Sequence, residues 1–225
     1  MILMVLRRRM AQMQEIDNFK QIFGYIPKES TIEINLVENG AKAKIRHLNI
    51  KGGGVNMVSF DENYSDQVGQ LFKKTSHCTK NADGIIAFEN INGKNLLFCE
   101  MKSSGGGVFN SAFQQVFSSY LKMCMILSMC DEFHISNFRV FFIFTSQDGV
   151  ELAQRLNELE QIDESQRTFE DNVRLNLLKG KSVKFKLNKV PHNLSFLHKD
   201  FTEQEVECHL LKSNTDTIDF DVNTI

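Results

Sequence analysis

The sequence lacks any long hydrophobic run, and no stretch reaches the roughly 18 apolar residues that a membrane-spanning helix needs. The apolar start, Met1–Leu6, is followed at once by Arg7–Arg9, which reverses the order of charge and apolar core in a secretion signal. We therefore expect no membrane partner and no secretion, and we expect a cytoplasmic protein.

Cysteine is sparse and shows no disulfide or zinc-binding pattern. The five cysteines include no Cys-x-x-Cys pair, and no second ligand pair lies at zinc-site spacing from His77 and Cys78. An odd, scattered set of cysteines, several within apolar runs, is typical of buried thiols in a reducing compartment.

The sequence also lacks an excess of positive charge. Its 26 Lys and Arg residues against 28 Asp and Glu residues give a net charge of −2, so a nucleic-acid partner requires a local basic patch. The most basic stretch is strand-like and contains Lys181, Lys184 and Lys186. We predict that these lysines bind nucleic acid along a phosphate backbone. An exposed edge strand protected by lysines explains the pattern equally well.

No internal repeat or low-complexity segment divides the 225 residues, a length that suits one domain with additions. The glycines of residues 51–54 form a flexible joint. We predict an N-terminal helix and hairpin over residues 1–54, a core over residues 55–162, and a C-terminal extension over residues 163–225 that packs on the core.

Hydrophobic periodicity predicts an α/β core with a mixed sheet. Apolar residues at helical spacing predict helices over about residues 61–73 and 109–130. The nearly continuous apolar run 138–145 predicts a strand that is buried on both faces and lies parallel to the strand before the long helix. Two more helices are predicted after residue 148 and over about 168–178. The last ten residues are expected to form either an edge strand or a partner-binding tail.

Residues 81–104 contain the most informative pattern. Two apolar runs, 84–88 and 96–99, flank Asn92 and Gly93, a pair typical of tight hairpin turns because both residues tolerate positive φ. A two-residue turn at this pair places Ile91 opposite Lys94.

The same register places Asp83 opposite Lys102, with Glu100 diagonally across from Asp83. Alternation along the strands then brings all three side chains to one face of the sheet. A divalent cation could bridge the two carboxylates there, beside a lysine. A plain surface hairpin with exposed charges explains the same residues.

The sequence Ala82-Asp83 followed by Glu100-Met101-Lys102 resembles the catalytic hairpin of the PD-(D/E)xK nuclease superfamily, with Ala82 at the nominal proline position. The likeness covers roughly residues 60–145. It implies a restriction-endonuclease-like core in which a helix, three strands, a helix and a strand build a mixed central sheet. This chain adds an N-terminal helix and a hairpin to that core.

The resemblance also implies an activity, namely a Mg²⁺-dependent (or Mn²⁺-dependent) endonuclease that hydrolyses phosphodiester bonds in DNA. Asp83, Glu100 and the Met101 carbonyl would hold the metal, and Lys102 would position or activate the attacking water. In this superfamily a carboxylate on the preceding helix often lies near the metal, and Glu62 is our choice here, with Asp66 as the alternative. An acidic first turn that stabilises the helix dipole explains Glu62 as well.

A glutamine on the long helix is similar to a feature of several superfamily branches, where it orients the lysine or contacts nucleic acid. Gln115 is our choice for this role, with Gln114 as the alternative. A neutral helix surface explains both residues as well.

Two biological roles suit such a nuclease. One is the effector of a prokaryotic anti-phage defence system, which we prefer, and the other is DNA recombination or repair. An RNase on the same fold and a non-catalytic assembly subunit are the alternatives. We also expect a protein partner or a second copy of the chain, since the additions at both ends of the core leave room for such contacts.

Overall fold

The computed structural model describes residues 31–41, 43–60, 80–102, 108–128, 134–190 and 199–225, with the backbone alone at 108–110. The predicted N-terminal helix and the helix predicted over 61–73 lie outside these residues. The strands are β1 (Glu33–Val37), β2 (His47–Lys51), β3 (Met57–Phe60), β4 (Gly84–Asn90), β5 (Gly93–Met101), β6 (Phe138–Gln147), β7 (Val183–Lys186), β8 (Glu205–Ser213) and β9 (Thr217–Asp221). The helices are α1 (Val108–Leu127), α2 (Val150–Gln161), α3 (Phe169–Leu178) and α4 (Lys199–Thr202).

In the part of the chain that the structure describes, six strands form a mixed central sheet in the order β3-β4-β5-β6-β8-β7, so the chain is an α/β protein. Strands β5, β6 and β8 run parallel to one another. Strands β3, β4 and β7 are antiparallel to their neighbours. Helix α1 connects β5 to β6, which confirms the predicted parallel crossover. Most of β6 is buried, as its apolar run predicts.

The two faces of the central sheet pack against different layers. Helix α1 covers one face, where Ile85 and Phe98 belong to its core. A smaller sheet covers the other face, where Leu97 and Cys99 belong to a second core. Because side chains alternate along a strand, the even-numbered residues of β5 face α1 and the odd-numbered residues face the smaller sheet.

The smaller sheet joins the two ends of the described chain. Its strand order is β1-β2-β9, with β1 antiparallel and β9 parallel to β2. The last residues of the chain therefore include a short edge strand, one of the two forms predicted for them. Strand β8 lies inside the central sheet between β6 and β7. Residues of all three predicted segments thus contribute to the two sheets.

Helices α2 and α3 pack against each other through Leu152, Leu159, Leu175 and Leu178. Both helices were predicted. The Thr168 hydroxyl accepts a hydrogen bond from Asp171 N at 3.1 Å, and the Asp171 carboxylate accepts one from Thr168 N at 3.1 Å. This capping box satisfies backbone donors at the start of α3. Within the described ranges, no helix is long and apolar enough to cross a membrane.

Candidate metal site

The β4–β5 hairpin turns earlier than Asn92 and Gly93 predict. Asn90 pairs with Gly93, which leaves Ile91 and Asn92 in the turn. The Asn90 side chain directs this turn, because its Oδ1 accepts a hydrogen bond from Asn92 N at 2.9 Å. A tight turn centred on Asn92 and Gly93 requires positive φ at both residues, and only Gly93 has it, with φ 116°. The predicted pairing of Ile91 with Lys94 is therefore wrong.

The observed register brings the two acids closer together than predicted. The strand pairing ends with Gly84 opposite Cys99, and its continuation places Asp83 across from Glu100 instead of Lys102. Residues directly across a sheet have Cβ atoms about 4.5–5.5 Å apart, whereas diagonal neighbours are about 7–8 Å apart. Alternation still assigns Asp83, Glu100 and Lys102 to one face, the face that α1 covers.

The Asp83 carboxylate is bonded to the backbone of β5. Its Oδ2 accepts a hydrogen bond from Met101 N at 2.5 Å. Strand β1 packs on the next residue, Gly84, where an added Cβ would overlap Leu36 Cδ1. A residue with a Cβ at this position would require the Leu36 side chain to move, so β1 lies directly beside the start of β4 and thus beside Asp83.

The Glu100 side chain is fully buried. Apart from its ion pair with Lys102, neither carboxylate oxygen accepts a hydrogen bond within the described part of the chain. Burial and then the nearby Asp83 charge raise the pKa of Glu100 to about 8, although Lys102 lowers it. Because a buried carboxylate is costly without a partner, this position favours either a proton or a cation.

The Lys102 ammonium lies against Oε1 of Glu100, and the lysine side chain is 31% exposed. The backbone N of Lys102 donates a hydrogen bond at 3.3 Å to Thr145 Oγ1 on β6. The group therefore lies where the parallel strands β5 and β6 reach their carboxyl ends. Open α/β sheets bind ligands at this end, beyond the carboxyl ends of their parallel strands.

Glu38 is a third acid near this edge, and the sequence patterns did not identify it. Glu38 follows β1 directly, and its Oε1 accepts a hydrogen bond from Gly40 N at 2.7 Å. Its charge also contributes to the raised pKa of Glu100, after burial and Asp83. No motif marks Glu38, because its approach depends on the packing of β1 against Gly84, which is a tertiary contact.

The two glutamines predicted from the resemblance contact the segment that precedes Asp83. Gln115 contacts the segment before Asp83, since its Nε2 donates a hydrogen bond to Asn81 O at 3.0 Å. Its neighbour Gln114 accepts a hydrogen bond from Lys80 Nζ at 3.3 Å. This side of α1 is therefore packed against another segment and is not a neutral helix surface. Glu62 lies outside the described residues.

The three lysines predicted to bind nucleic acid lie at or next to β7. Lys184 and Lys186 are directly opposite Glu207 and Glu205 of β8. Lys184 Nζ lies 3.2 Å from a Glu207 carboxylate oxygen. Lys181 is exposed just before the strand. Glu207 therefore offsets the charge of Lys184 within this basic stretch.

These lysine–glutamate pairs are on the other face of the central sheet from Glu100. Glu207 and His209 share a face, and the His209 ring lies 6.1 Å from the ring of Phe141, a member of the core under the smaller sheet. They also lie at the other end, because Glu207 aligns with Phe141 near the start of β6, while Glu100 aligns with Phe144 near its end. Lys184 and Lys186 therefore do not share one surface with the two acids.

The carboxylates of Asp83 and Glu100 are suitable as two of the ligands of a hard divalent cation. Mg²⁺ and Mn²⁺ prefer carboxylate oxygens, and the Lys102 ammonium is the partner that the described residues provide for the buried Glu100 carboxylate. No group of three or more His, Cys, Asp or Glu side chains that could hold a metal occurs in the described ranges. The remaining ligands from the chain would be a backbone carbonyl such as that of Met101, or Glu62.

No family model, no curated protein and no solved structure matches this chain. An α/β fold by itself accommodates many unrelated functions. What the chain does must therefore be inferred from the side chains at the open end of the β4–β5 hairpin.

Proposed function

We propose that this protein is a divalent-metal-dependent nuclease that hydrolyses phosphodiester bonds in DNA. The observation that supports this most strongly is the Asp83 carboxylate bonded to Met101 N, next to the buried Glu100, whose carboxylate has the Lys102 ammonium against it. Two acids and a lysine on neighbouring strands are the set that the resemblance to the PD-(D/E)xK superfamily requires.

Asp83 and Glu100 would hold Mg²⁺ or Mn²⁺, with the Met101 carbonyl as a third ligand, as the resemblance implies. When bound, the metal supplies a Lewis acid that polarises the phosphate and its bound water. The hydrogen bond from Met101 N fixes the orientation of the Asp83 carboxylate before any ligand binds. Glu100 must be ionised to serve as a ligand, so metal binding releases the proton that its raised pKa retains near neutral pH.

Lys102 would hold or deprotonate the attacking water and offset the negative charge that develops on the phosphate. Its partly exposed side chain and its position beside Glu100 suit this role. Because a cation at Glu100 competes with the Lys102 ammonium for one carboxylate, the two groups are linked electrostatically. Lys102 is therefore proposed as a catalytic residue and not as a metal ligand.

The substrate class rests on the resemblance, which favours DNA, and RNA is the alternative that an experiment must separate. Plasmid DNA, linear DNA and RNA should be incubated with the protein in Mg²⁺, in Mn²⁺ and in EDTA. The variants are Asp83→Asn, Glu100→Gln and Lys102→Met. The control is Lys179→Met, which removes a surface ion pair with Glu160 at 2.8 Å.

The proposal predicts metal-dependent cleavage of DNA that falls by about 100-fold or more in each of the three variants. The control should stay close to the wild type. Cleavage of RNA alone would contradict the choice of DNA. Wild-type-like cleavage in all three variants, or no cleavage of any nucleic acid with either metal, would contradict the nuclease.

A further inference from the structure

The segment that immediately precedes Asp83 is held by one side of helix α1. Ala82 N donates a hydrogen bond to Ser119 Oγ at 2.7 Å. Lys122 Nζ donates one to Lys80 O at 2.7 Å and another to the side-chain oxygen of Asn81. Together with the bond from Gln115 to Asn81 O, these contacts bind three consecutive residues, 80–82, to the helix.

The contacting residues of α1 form a single stripe. Gln115, Ser119 and Lys122 are four and then three residues apart, so they lie on the same side of the helix. Ser119 and Lys122 are 0% and 1% exposed. A lysine is seldom buried this completely unless its ammonium is paired, and the acceptors on Lys80 and Asn81 contribute to that pairing.

The position of Asp83 depends on these contacts, because Asp83 lies one residue before the paired part of β4 begins. Gly84 is the first residue of β4, and the ladder between β4 and β5 begins with Gly84 opposite Cys99. Asp83 is therefore held on one side by the Met101 N–H and on the other by residues 80–82. If residues 80–82 shift, the Asp83 carboxylate shifts relative to Glu100.

We infer that Lys122, acting through Asn81 and Lys80, is a positioning residue that sets the separation of the Asp83 and Glu100 carboxylates. Its effect on metal affinity and cleavage rests on the function proposed above. Its effect on the position of Asp83 is independent of that function, because the hydrogen bond from Met101 N to Asp83 reports the position of that carboxylate in the metal-free protein.

The test compares Lys122→Met, Asn81→Ala and Asn81→Asp with a matched control, Lys212→Met. Lys212 also donates to a backbone carbonyl, that of Leu178, at 2.6 Å, but it contacts α3 and not residues 80–82. Asn81→Asp keeps an oxygen acceptor for the Lys122 ammonium, whereas Asn81→Ala removes it. The two readouts are the amide proton shift of Met101 by NMR in EDTA, and the Mg²⁺ concentration for half-maximal DNA cleavage.

In Lys122→Met and Asn81→Ala, the Met101 amide shift should move in the direction of its value in Asp83→Ala. The Mg²⁺ requirement should rise about tenfold, as is usual when a group that orients a metal ligand is lost. Asn81→Asp and Lys212→Met should match the wild type in both readouts. Where Lys122→Met does not fold, Asn81→Ala decides, since Asn81 is only half-buried.

An unchanged Met101 amide in folded Lys122→Met or Asn81→Ala would overturn the inference. Equal losses in Asn81→Asp and Asn81→Ala would also overturn it. If the proposed function is wrong, the wild-type protein cleaves no nucleic acid, with or without Mg²⁺. The Met101 amide still decides the role of Lys122 in that case.

Discussion

The Asp83 carboxylate accepts a hydrogen bond at 2.5 Å from the backbone N–H of Met101. Met101 lies between Glu100 and Lys102, so an acid at the start of one strand is bonded to the backbone that carries the other two groups. This bond and the contacts of residues 80–82 with α1 together hold the Asp83 carboxylate beside Glu100 before any ligand binds. Such preorganisation is what a metal-dependent hydrolytic site requires.

The stability of the metal-free protein should depend on pH through Glu100. Its pKa is about 8 in the folded chain, against an ordinary value of 4.5. The folded state therefore binds this proton more tightly than the unfolded state, and stability falls as pH rises between about 4.5 and 8. The loss should be on the order of 1 kcal/mol per pH unit from this group. Urea unfolding in EDTA at pH 5, 6.5 and 8 measures it.

Glu100→Gln is the matched variant for this measurement, because glutamine has nearly the same shape and does not titrate. We expect a clearly flatter dependence of unfolding free energy on pH in Glu100→Gln than in the wild type. Saturating Mg²⁺ should also reduce the slope in the wild type, since a bound cation replaces the proton. Identical slopes in the two proteins without metal would show that Glu100 is ionised at neutral pH.

Lys102→Met should separate metal binding from cleavage. The Lys102 ammonium lies against the Glu100 carboxylate, so its removal takes away a positive charge that competes with the cation. We expect metal affinity equal to or higher than that of the wild type, and cleavage lower by about 100-fold or more. Calorimetric titration with Mn²⁺, next to a cleavage assay at saturating metal, measures both. Weaker metal binding in this variant would mean that Lys102 supports the site structurally.

Gly84→Ala should destabilise the protein, because its Cβ would overlap Leu36 Cδ1. We expect a loss of about 1–3 kcal/mol, typical of overpacking in a core. The double variant Gly84→Ala with Leu36→Ala should recover part of this loss, since the shorter side chain makes room. Gly149→Ala is the control, because an added Cβ there meets no described atom within 4 Å. Denaturant unfolding of the wild type, Gly84→Ala, Leu36→Ala and the double variant gives the coupling between the two positions, and strict additivity would argue against the contact.

The lysines of β7 should contribute little to DNA cleavage. Lys184 and Lys186 are opposite Glu207 and Glu205, on the face turned away from Glu100. We expect the double variant Lys184→Ala, Lys186→Ala to cleave DNA within about threefold of the wild type, because neither lysine lies on the face of Glu100. Loss of the Lys184–Glu207 surface ion pair should cost only about 0–1 kcal/mol of stability. Binding measured over a series of salt concentrations provides the check. A decrease of about two in the slope of log binding constant against log salt concentration would mean that both lysines contact phosphates.

Much of the central sheet could be predicted because its signals are local. A long amphipathic helix followed by a buried apolar strand implies a parallel crossover. The helix is α1 and the strand is β6. Strand β8 was not predicted. Its buried residues Val206 and Cys208 alternate with polar ones such as Glu205 and Glu207, and its place between β6 and β7 results from long-range pairing.

The candidate site could be predicted in its residues but not in its geometry. The spacing of Asp83, Glu100 and Lys102 was sufficient to propose one shared face. The register was wrong because the Asn90 side chain forms a turn of its own, which competes with the turn that Asn92 and Gly93 favour. The approach of Glu38 and the contacts of Lys122 depend on the packing of separate elements, which local patterns do not encode.

The most direct test of the central claim, that Asp83 and Glu100 together hold a divalent cation, is a Mn²⁺ titration of the metal-free protein followed by electron paramagnetic resonance. The wild type should bind Mn²⁺, and Asp83→Asn and Glu100→Gln should each weaken that binding by about tenfold or more. Lys179→Met should bind as the wild type does. Absence of Mn²⁺ binding in the wild type, or binding that neither variant weakens, would contradict the claim.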